Sequence, residues 1–417
     1  MKHRTRSLLV ASSCLAALTA CSTTAPGSEG NGAAGGDVAT GNGVSDSTIT
    51  IGFLTDLTGP FAAASEVMVA ETQAYWDARN EDGGICERSV EVDVQDHAYD
   101  PQKAVALYRS MQPNVLAFQQ LQGSPIVPAV MPLAEEDRVY VGGMGWASST
   151  LPYETAQIPG ATYSVEGANA IDYLVDELGL TEGDTVGVVY FVGDLGGDSL
   201  AGAQHAADER GLEIVSQEIT PRDTDLSAQA AAFQQAGVSA VIVAAAPPQL
   251  ASIAGVLASL DVNVPILSNT PAFNPALLNT PAGPALIENG YTVQSIAPYA
   301  AEEPGVQDAT ALYEEVAPDG AKGWEVPLAY AQAELLADAI ERACDAGDLT
   351  PEGVVTAMRE TADLDLEGLY PAPVDYTEVG EPPLRTVYVT KVDEAVPGGL
   401  RMLTTFEGPS AESYSFE

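Results

Sequence analysis

The sequence predicts an α/β fold of two doubly wound lobes, each built on a parallel sheet. Short apolar strands alternate with amphipathic helices, which is typical of parallel sheets covered by helices on both faces. This alternation occurs twice, over about 48–160 and about 168–290. With 417 residues, the chain is long enough for two such lobes and a sizeable core.

The first repeat begins with a run of β-branched and aromatic residues at 48–54, which favours a buried strand. Pro101 favours the start of a helix, because the N–H that proline lacks has no helical partner at that position. Strands are predicted at 48–54, 90–94, 114–118 and 139–141, and helices at 66–80, 101–111 and 124–136.

The second repeat begins with a helix in which apolar residues from 171 to 178 follow the i, i+3, i+4, i+7 spacing. Strands are then predicted at 185–192, 213–217, 240–245 and 264–267, and helices at 199–210, 226–235 and 249–260. A later helix at 327–346 and a strand at 385–391 are expected to dock on one of the two lobes.

The N-terminal segment is typical of an exported protein. Basic residues precede an apolar stretch at about 8–18, which is too short to span a bilayer. The sequence Leu-Thr-Ala-Cys at 18–21 resembles the lipobox of bacterial lipoprotein signal peptides. We therefore predict a signal peptide at 1–20 and a lipid on the sulfur of Cys21. The alternative is an ordinary cleaved signal with an incidental cysteine.

A flexible tether is predicted at 21–46, beginning at the lipidated cysteine. Gly, Ala, Ser and Thr dominate this segment and leave almost nothing to bury. No other stretch of 18 apolar residues occurs in the sequence. We therefore expect a lipid, rather than a helix, to hold the folded part at the extracytoplasmic face of the cell membrane.

Charge and motifs exclude several function classes. The 59 acidic and 16 basic residues give a formal net charge of -43, which argues against nucleic acid as a partner. The sequence contains no GxSxG, HExxH, P-loop or dinucleotide-binding motif, and it has three His. We expect no enzymatic activity, no cofactor and no metal site; an extracellular hydrolase is the alternative within the enzyme class.

Two cysteines, Cys86 and Cys344, remain after the signal peptide and the lipidated residue are set aside. An even number of cysteines in an oxidising compartment favours a disulfide. Two buried free thiols are the alternative.

Four segments carry a recognisable pattern: ITIGFLTDLTGPFAAAS at 49–65, NEDGGIC at 80–86, DHAYDPQKAV at 96–105 and TDLSAQ at 224–229. Together they resemble the leucine/isoleucine/valine-binding family of ABC-importer substrate-binding proteins. They occur in the family's order behind a lipobox, and the resemblance covers about 48–395.

The resemblance implies a type I periplasmic binding fold, in which three hinge crossovers join the lobes near 160–166, 291–299 and 367–376. The implied boundaries are 48–162 plus 298–368 for the N-lobe, 163–297 plus 369–405 for the C-lobe, and 406–417 for a tail. Both remaining cysteines fall in the N-lobe, so the resemblance leads us to predict a Cys86–Cys344 disulfide.

The resemblance also implies ligand contacts on the N-lobe. Ser124, next to Gln122 in LQGSP, matches the family's serine that binds a carboxylate, and a plain helix N-cap is the alternative. Gly145 and Trp146 lie in the loop after the next strand. Trp146 is expected to be a ligand platform rather than a core residue, and Phe61 of the first loop has the same two interpretations.

On the C-lobe the sequence departs from the family. The family's aromatic contact falls at Ala246, and the acid that pairs with the ligand ammonium falls at Thr270, beside Asn269. Asp194 is expected to be the only acid near these contacts. We therefore predict a ligand other than a plain branched-chain amino acid, either larger or without an α-ammonium.

The resemblance implies a lipid-anchored, monomeric solute-binding protein that closes on a small organic ligand. The ligand is expected to be amino-acid-like, an amide or an aromatic acid, and the partner an ABC permease with its ATPase. A ligand-sensing module for a signalling receptor is the alternative outside transport.

Overall fold

The computed structural model describes residues 38–416. The predicted signal peptide at 1–20, the predicted lipid site at Cys21 and most of the predicted tether at 21–46 lie outside the described residues. Within the described part, no helix is both long and apolar enough to cross a bilayer.

Residues 38–46, which the sequence assigns to the tether, pack on the folded part. The N–H of Ala39 donates to the carbonyl of Gly347 at 2.9 Å, and the N–H of Thr50 donates to the carbonyl of Gly43 at 2.7 Å. The prediction of a free linker is therefore wrong for this segment, because its backbone hydrogen bonds are made with the N-lobe.

The first part of the described chain builds most of the N-lobe. Its strands are β1 (Ala39–Thr40), β2 (Thr48–Thr55), β3 (Ser89–Asp96), β4 (Phe118–Gln122), β5 (Val141–Met144) and β6 (Ala156–Gln157). Its helices are α1 (Ala62–Glu81), α2 (Pro101–Met111) and α3 (Val127–Asp137). The sheet is parallel, in the order β3-β2-β4-β5-β6.

The middle of the chain builds the C-lobe. Its helices are α4 (Tyr163–Asp176), α5 (Asp194–Arg210), α6 (Ser227–Ala236), α7 (Pro247–Ser259) and α8 (Gly283–Asn289). Its strands are β7 (Thr185–Phe191), β8 (Glu213–Ile219), β9 (Ala240–Ala244), β10 (Ile266–Ser268) and β11 (Gly290–Gln294).

The last part of the chain returns to the N-lobe and then to the C-lobe. The N-lobe receives α9 (Pro304–Val316), α10 (Glu325–Asp345), β12 (Asp348–Leu349) and α11 (Pro351–Arg359). The C-lobe receives β13 (Val387–Val392), β14 (Leu400–Phe406) and α12 (Pro409–Ser413). The C-lobe sheet has the order β14-β13-β11-β10-β9-β7-β8, with β13 and β14 antiparallel. The predicted fold of two doubly wound lobes is confirmed.

Local chemistry explains why one helix boundary was predictable and one strand was not. The Asp100 side chain caps α2 by accepting from the N–H of Gln102 at 2.8 Å, and α2 spans the predicted residues. β4, in contrast, lies four residues beyond the predicted strand at 114–118. Its sequence, FQQLQ, is polar but fully buried, so hydrophobicity alone placed the strand too early.

Three chain segments meet where the lobes join. Gly160 has φ +105°, and a Cβ there would lie 2.5 Å from the Ser295 Cβ. The N–H of Ala297 donates to the carbonyl of Leu369 at 2.9 Å. The third segment does not enter the C-lobe directly, because the N–H of Tyr376 still bonds the N-lobe, and the C-lobe resumes only at β13.

The predicted tail at 406–417 is docked on the C-lobe as far as it is described. The N–H of Gly408 donates to the Asn169 side chain at 2.8 Å, and the N–H of Ser410 donates to Asp172 at 2.8 Å. The predicted disulfide between Cys86 and Cys344 is confirmed, with Cα atoms 6.2 Å apart, and it links the turn between α1 and β3 to the end of α10.

Candidate functional site

A small cavity of about 30 Å³ lies between the lobes at the carboxyl ends of the N-lobe strands. Ligands of open α/β sheets bind at this edge. We call this space the inner cavity. It is lined by Phe61, Tyr99, Gln122, Gly123, Ser124, Met144, Trp146, Tyr163, Leu195, Pro271 and Trp324. All eleven lining residues are uncharged.

The loop after β2 is built to hold Phe61 at this cavity. The Asp56 carboxylate accepts from the N–H groups of Gly59 and Phe61 at 2.6 and 2.9 Å. A Cβ at Gly59 would lie 2.4 Å from that carboxylate, so only glycine fits. Asp96, at the end of β3, accepts from the N–H of Leu57 at 2.9 Å and ties the loop to the neighbouring strand.

Gln122 lines the inner cavity, and the two ends of its side-chain amide differ in their hydrogen bonds. Three donors hold its Oε1, namely the Thr55 hydroxyl at 2.7 Å, the Asp56 N–H at 2.9 Å and the Ser65 hydroxyl at 2.6 Å. Because a backbone N–H can only donate, this contact fixes which end of the amide is oxygen. Its Nε2 is buried and has no partner among residues 38–416.

Five of the eleven residues that line the inner cavity are aromatic. Trp146 is 2% exposed, and its ring centroid lies 5.7 Å from that of Tyr163 and 6.4 Å from that of Trp324. The rings of Phe61 and Tyr99 are 5.2 Å apart. The Trp146 Nε1 is buried without a partner in the described part of the chain, so it is a second free donor.

Two phenols and a hydroxyl complete the polar groups of the inner cavity. Burial raises the pKa of Tyr99 and of Tyr163, although hydrogen bonds from Ser124 oppose the rise. Both phenols therefore stay protonated at neutral pH and can donate. Ser124 does not cap α3, because the N-cap position is occupied by Ile126, so the alternative interpretation of Ser124 as an N-cap is wrong.

The structure brings the predicted N-lobe residues together. Phe61, Gln122, Ser124 and Trp146 line the inner cavity. Gly145 lies directly behind it, since a Cβ there would be 3.2 Å from the Ser124 Cα. Their role in ligand binding stays a prediction.

The predicted C-lobe residues lie elsewhere. Ala246 is the N-cap residue of α7, Asn269 borders a separate space of about 10 Å³, and the Thr270 hydroxyl donates to Glu166. None of these, nor Asp194, lines the inner cavity; the C-lobe reaches it through Tyr163, Leu195 and Pro271.

Glu166 is a buried acid that the sequence prediction missed. It is 1% exposed and accepts from the Thr270 N–H at 3.4 Å and from the Ser295 hydroxyl at 3.1 Å. Burial raises the pKa of Glu166 to about 7, and these hydrogen bonds oppose the rise. The expectation that Asp194 is the only acid near the C-lobe contacts is therefore wrong. Glu166 was overlooked because it lies in the first turn of α4, which was taken for a crossover.

Two carboxylates of α5 hold the lobes together across the cleft. Asp198 accepts from the N–H and the hydroxyl of Ser148 in the N-lobe, the former at 3.2 Å, and from the N–H of Ser164 at 2.9 Å. Asp194 accepts from the Ser149 hydroxyl at 3.1 Å. We call Ser148, Ser149, Asp194 and Asp198 the latch.

Seven lining residues were missed from the sequence, and four of them are aromatic or branched: Tyr99, Tyr163, Leu195 and Trp324. Tyr99 follows β3 at the same sheet edge as the predicted residues, so the strand-end rule would have found it. The other three come from segments distant in sequence, and nothing local indicates that they converge.

A family model described as "Periplasmic binding protein" matches residues 48–397. The chain belongs to the periplasmic binding protein family. A fatty acid ABC transporter substrate-binding protein from Thermomonospora curvata is 37% identical, with a TM-score of 0.88, and the match covers 91% of this chain and 97% of that one. This family binds solutes for ABC importers and is not a family of enzymes.

Two solved structures of lower identity share the fold. A valine-bound branched chain amino acid ABC transporter protein from Thermus thermophilus is 18% identical, with a TM-score of 0.78 over 89% of this chain and 99% of that one. A solute binding protein from Rhodopseudomonas palustris in complex with 3,4-dihydroxy benzoic acid is 18% identical, with a TM-score of 0.73 over 87% and 98%. No curated protein matches the chain.

Proposed function

We propose that this protein binds a monocarboxylic acid with an apolar chain or ring and delivers it to an ABC permease and its ATPase. The observation that carries this proposal is the donor set of the inner cavity. Gln122 Nε2 and Trp146 Nε1 are buried donors with no acceptor among the described residues, and every lining residue is uncharged. Buried donors need acceptors, and a carboxylate supplies two oxygens that form strong charge-assisted hydrogen bonds.

An amino-acid ligand fits this site less well, because its ammonium would need acceptors. Glu166 already accepts from Thr270 and Ser295 and does not line the inner cavity. Asp194 is engaged by Ser149 in the latch. An ammonium buried without an acid or several oxygens would cost several kcal/mol, so a ligand that lacks it is favoured.

Two relatives bind ligands of the proposed class. The 37% identical protein is named for fatty acids, and the protein from Rhodopseudomonas palustris holds an aromatic acid. The Thermus thermophilus protein holds valine, so the fold accepts both kinds of ligand. The distinction therefore rests on the side chains of the cleft.

A thermal-shift series with octanoate, benzoate, leucine, isoleucine and valine tests the proposal. A ligand at a hundred times its Kd adds about 2.7 kcal/mol to the free energy of unfolding. We expect octanoate or benzoate to raise the melting temperature and the three amino acids to leave it unchanged. Stabilisation by the amino acids alone would contradict the proposal.

We further propose that a lipid on Cys21 holds the protein at the extracytoplasmic face of the membrane. The support is the lipobox-like Leu-Thr-Ala-Cys at 18–21 behind a short apolar stretch. Cell fractionation of Cys21→Ala is expected to move the protein from the membrane to the soluble fraction. Cys14→Ala, in the apolar stretch, is the matched control and should stay bound. A Cys21→Ala protein that remains in the membrane fraction would refute the anchor.

A further inference from the structure

A second cavity of about 340 Å³ adjoins the inner cavity at the boundary of the lobes. Tyr99, Ser124 and Leu195 line both spaces. We call these three shared residues the neck. We call the second space the outer chamber. Its own walls are Pro125 and Pro128 at the start of α3, and Phe191, Val192, Gly193, Asp194 and Pro221 on the C-lobe. Asp194 is the one charged residue of this lining, and its carboxylate accepts from the Ser149 hydroxyl of the latch.

The two spaces differ in chemistry. The inner cavity holds the unpartnered donors of Gln122 and Trp146, but at about 30 Å³ it has room for little more than a head group. The outer chamber is about ten times larger, and prolines and branched side chains dominate its walls. Polar recognition and apolar space therefore fall in two neighbouring cavities that share three lining residues.

The rim of the outer chamber carries an apolar side chain in contact with water. Val192 is 53% exposed, one of four large apolar side chains that are exposed among the described residues. It follows β7 and precedes Gly193, around which a Cβ would meet nothing within 4 Å. An apolar ligand segment in the chamber would cover this side chain and remove it from water.

From this separation we propose that the outer chamber is a chain-length site. The ligand is a straight-chain monocarboxylate whose carboxylate lies in the inner cavity and whose hydrocarbon chain passes the neck and ends against Val192. This inference rests on the proposed function, since it requires a carboxylate to occupy the inner cavity. Acids that consist of little more than a carboxylate would fill the inner cavity and leave the outer chamber unused.

Calorimetry with butanoate, hexanoate, octanoate and decanoate tests the inference on the wild type and on Val192→Asn. The matched control is Val316→Asn, at the end of α9, where the side chain is 55% exposed and lines neither cavity. Wild type and control should gain about threefold in affinity per added methylene. Val192→Asn should lose at least fivefold for decanoate and keep butanoate within about twofold.

Each outcome of this series has one meaning. A flat dependence on chain length, or a Val192→Asn loss that is equal for butanoate and decanoate, would overturn the chain-length site and leave the proposed function intact. Failure of all four acids to bind the wild type would overturn the inference, and it would contradict the proposed function as well if benzoate also failed to bind.

Discussion

The N-lobe and C-lobe walls of the cleft differ in the hydrogen-bonding groups that they present to a ligand. Eight of the eleven residues of the inner cavity belong to the N-lobe, including Gln122, Ser124 and Trp146 with their hydrogen-bonding groups. The C-lobe contributes Tyr163, Leu195 and Pro271. Its polar groups at the boundary, the latch carboxylates, bond to the N-lobe instead of facing the inner cavity.

This difference indicates a division of labour. The N-lobe wall carries the groups that recognise the ligand, and the C-lobe wall closes over it and is held by the latch. Substitutions on the N-lobe wall should therefore change which ligand binds. Substitutions in the latch should change how long any ligand stays.

Two buried acids, Glu71 in the N-lobe and Glu166 in the C-lobe, differ in their hydrogen-bond partners. Glu71 of α1 is fully buried, and neither carboxylate oxygen has a partner among the described residues. Burial raises the pKa of Glu71 to about 9. Glu166 on the C-lobe side is equally buried but accepts hydrogen bonds, and its pKa reaches only about 7. The hydrogen bonds that Glu166 accepts thus offset part of the free-energy cost of burying its carboxylate.

The largest effect is expected from Gln122→Glu. Glutamate keeps an oxygen for Asp56, Thr55 and Ser65, but it replaces the free donor with a second carboxylate oxygen. Facing the ligand carboxylate, this charge should weaken octanoate binding about a thousandfold. Calorimetry measures the loss, and Gln102→Glu on the exposed face of α2 is the control. If a folded Gln122→Glu protein bound octanoate within tenfold of wild type, the claim that the N-lobe wall recognises the ligand would be wrong.

Glu71, whose carboxylate has no partner among the described residues, should make the protein less stable as the pH rises. Above pH 4.5 the unfolded chain releases the Glu71 proton, whereas the folded protein keeps it up to about pH 9. The free energy of unfolding should therefore drop by about 1 kcal/mol per pH unit in this window. Glu71→Gln removes this dependence. The free energy of unfolding of the variant, relative to that of wild type, should therefore rise by about 2 kcal/mol from pH 5 to pH 7.

Urea unfolding at pH 5, 6 and 7 measures this gain, with the exposed Glu315→Gln as control. The same slope in wild type and Glu71→Gln would show that Glu71 ionises normally and has partners after all.

A smaller effect is expected from Trp146→Phe, which removes the free donor and keeps an aromatic wall. One hydrogen bond to a charged acceptor is worth about 1.5 kcal/mol, so octanoate affinity should fall about tenfold. Octanol, which lacks the carboxylate, should lose much less. Equal losses for both ligands in a competition assay would mean that Trp146 acts through packing alone.

The smallest change in affinity is expected from the latch. Asp198→Asn replaces an acceptor of three hydrogen bonds with an amide that also donates, so the closed form should weaken by about threefold in Kd. Stopped-flow tryptophan fluorescence should assign this change to faster dissociation, with Asp208→Asn on the exposed face of α5 as control. A slower association with unchanged dissociation would place the latch among the recognition groups.

Much of the fold could be predicted from the sequence, because buried strands and amphipathic helices each produce a characteristic periodicity of apolar residues. The errors occur where this signal is weak. The buried strand β4 has three glutamines, which form a hydrogen-bond network with Thr55 and Trp76. A pattern of apolar residues does not reveal such a network. The docked tail has a polar composition, and its position depends on hydrogen bonds to α4.

The N-lobe half of the candidate site was predictable, because Phe61, Gln122 and Trp146 each follow or end a strand at the same sheet edge. The C-lobe half was not. Its predicted positions, Ala246 and Thr270, follow strands too, but the closed arrangement of the lobes sets which loops reach the inner cavity. That arrangement depends on contacts between segments far apart in the chain.

The most direct test of the account compares three ligands that share a chain and differ in the head group: octanoate, octanamide and octylamine. Calorimetry on the wild-type protein should give the order octanoate, then octanamide, with no measurable binding of octylamine, because the N-lobe wall supplies donors to an acceptor head group. Octylamine binding as tightly as octanoate would contradict recognition by neutral donors and would mean that the cleft presents acceptors to its ligand.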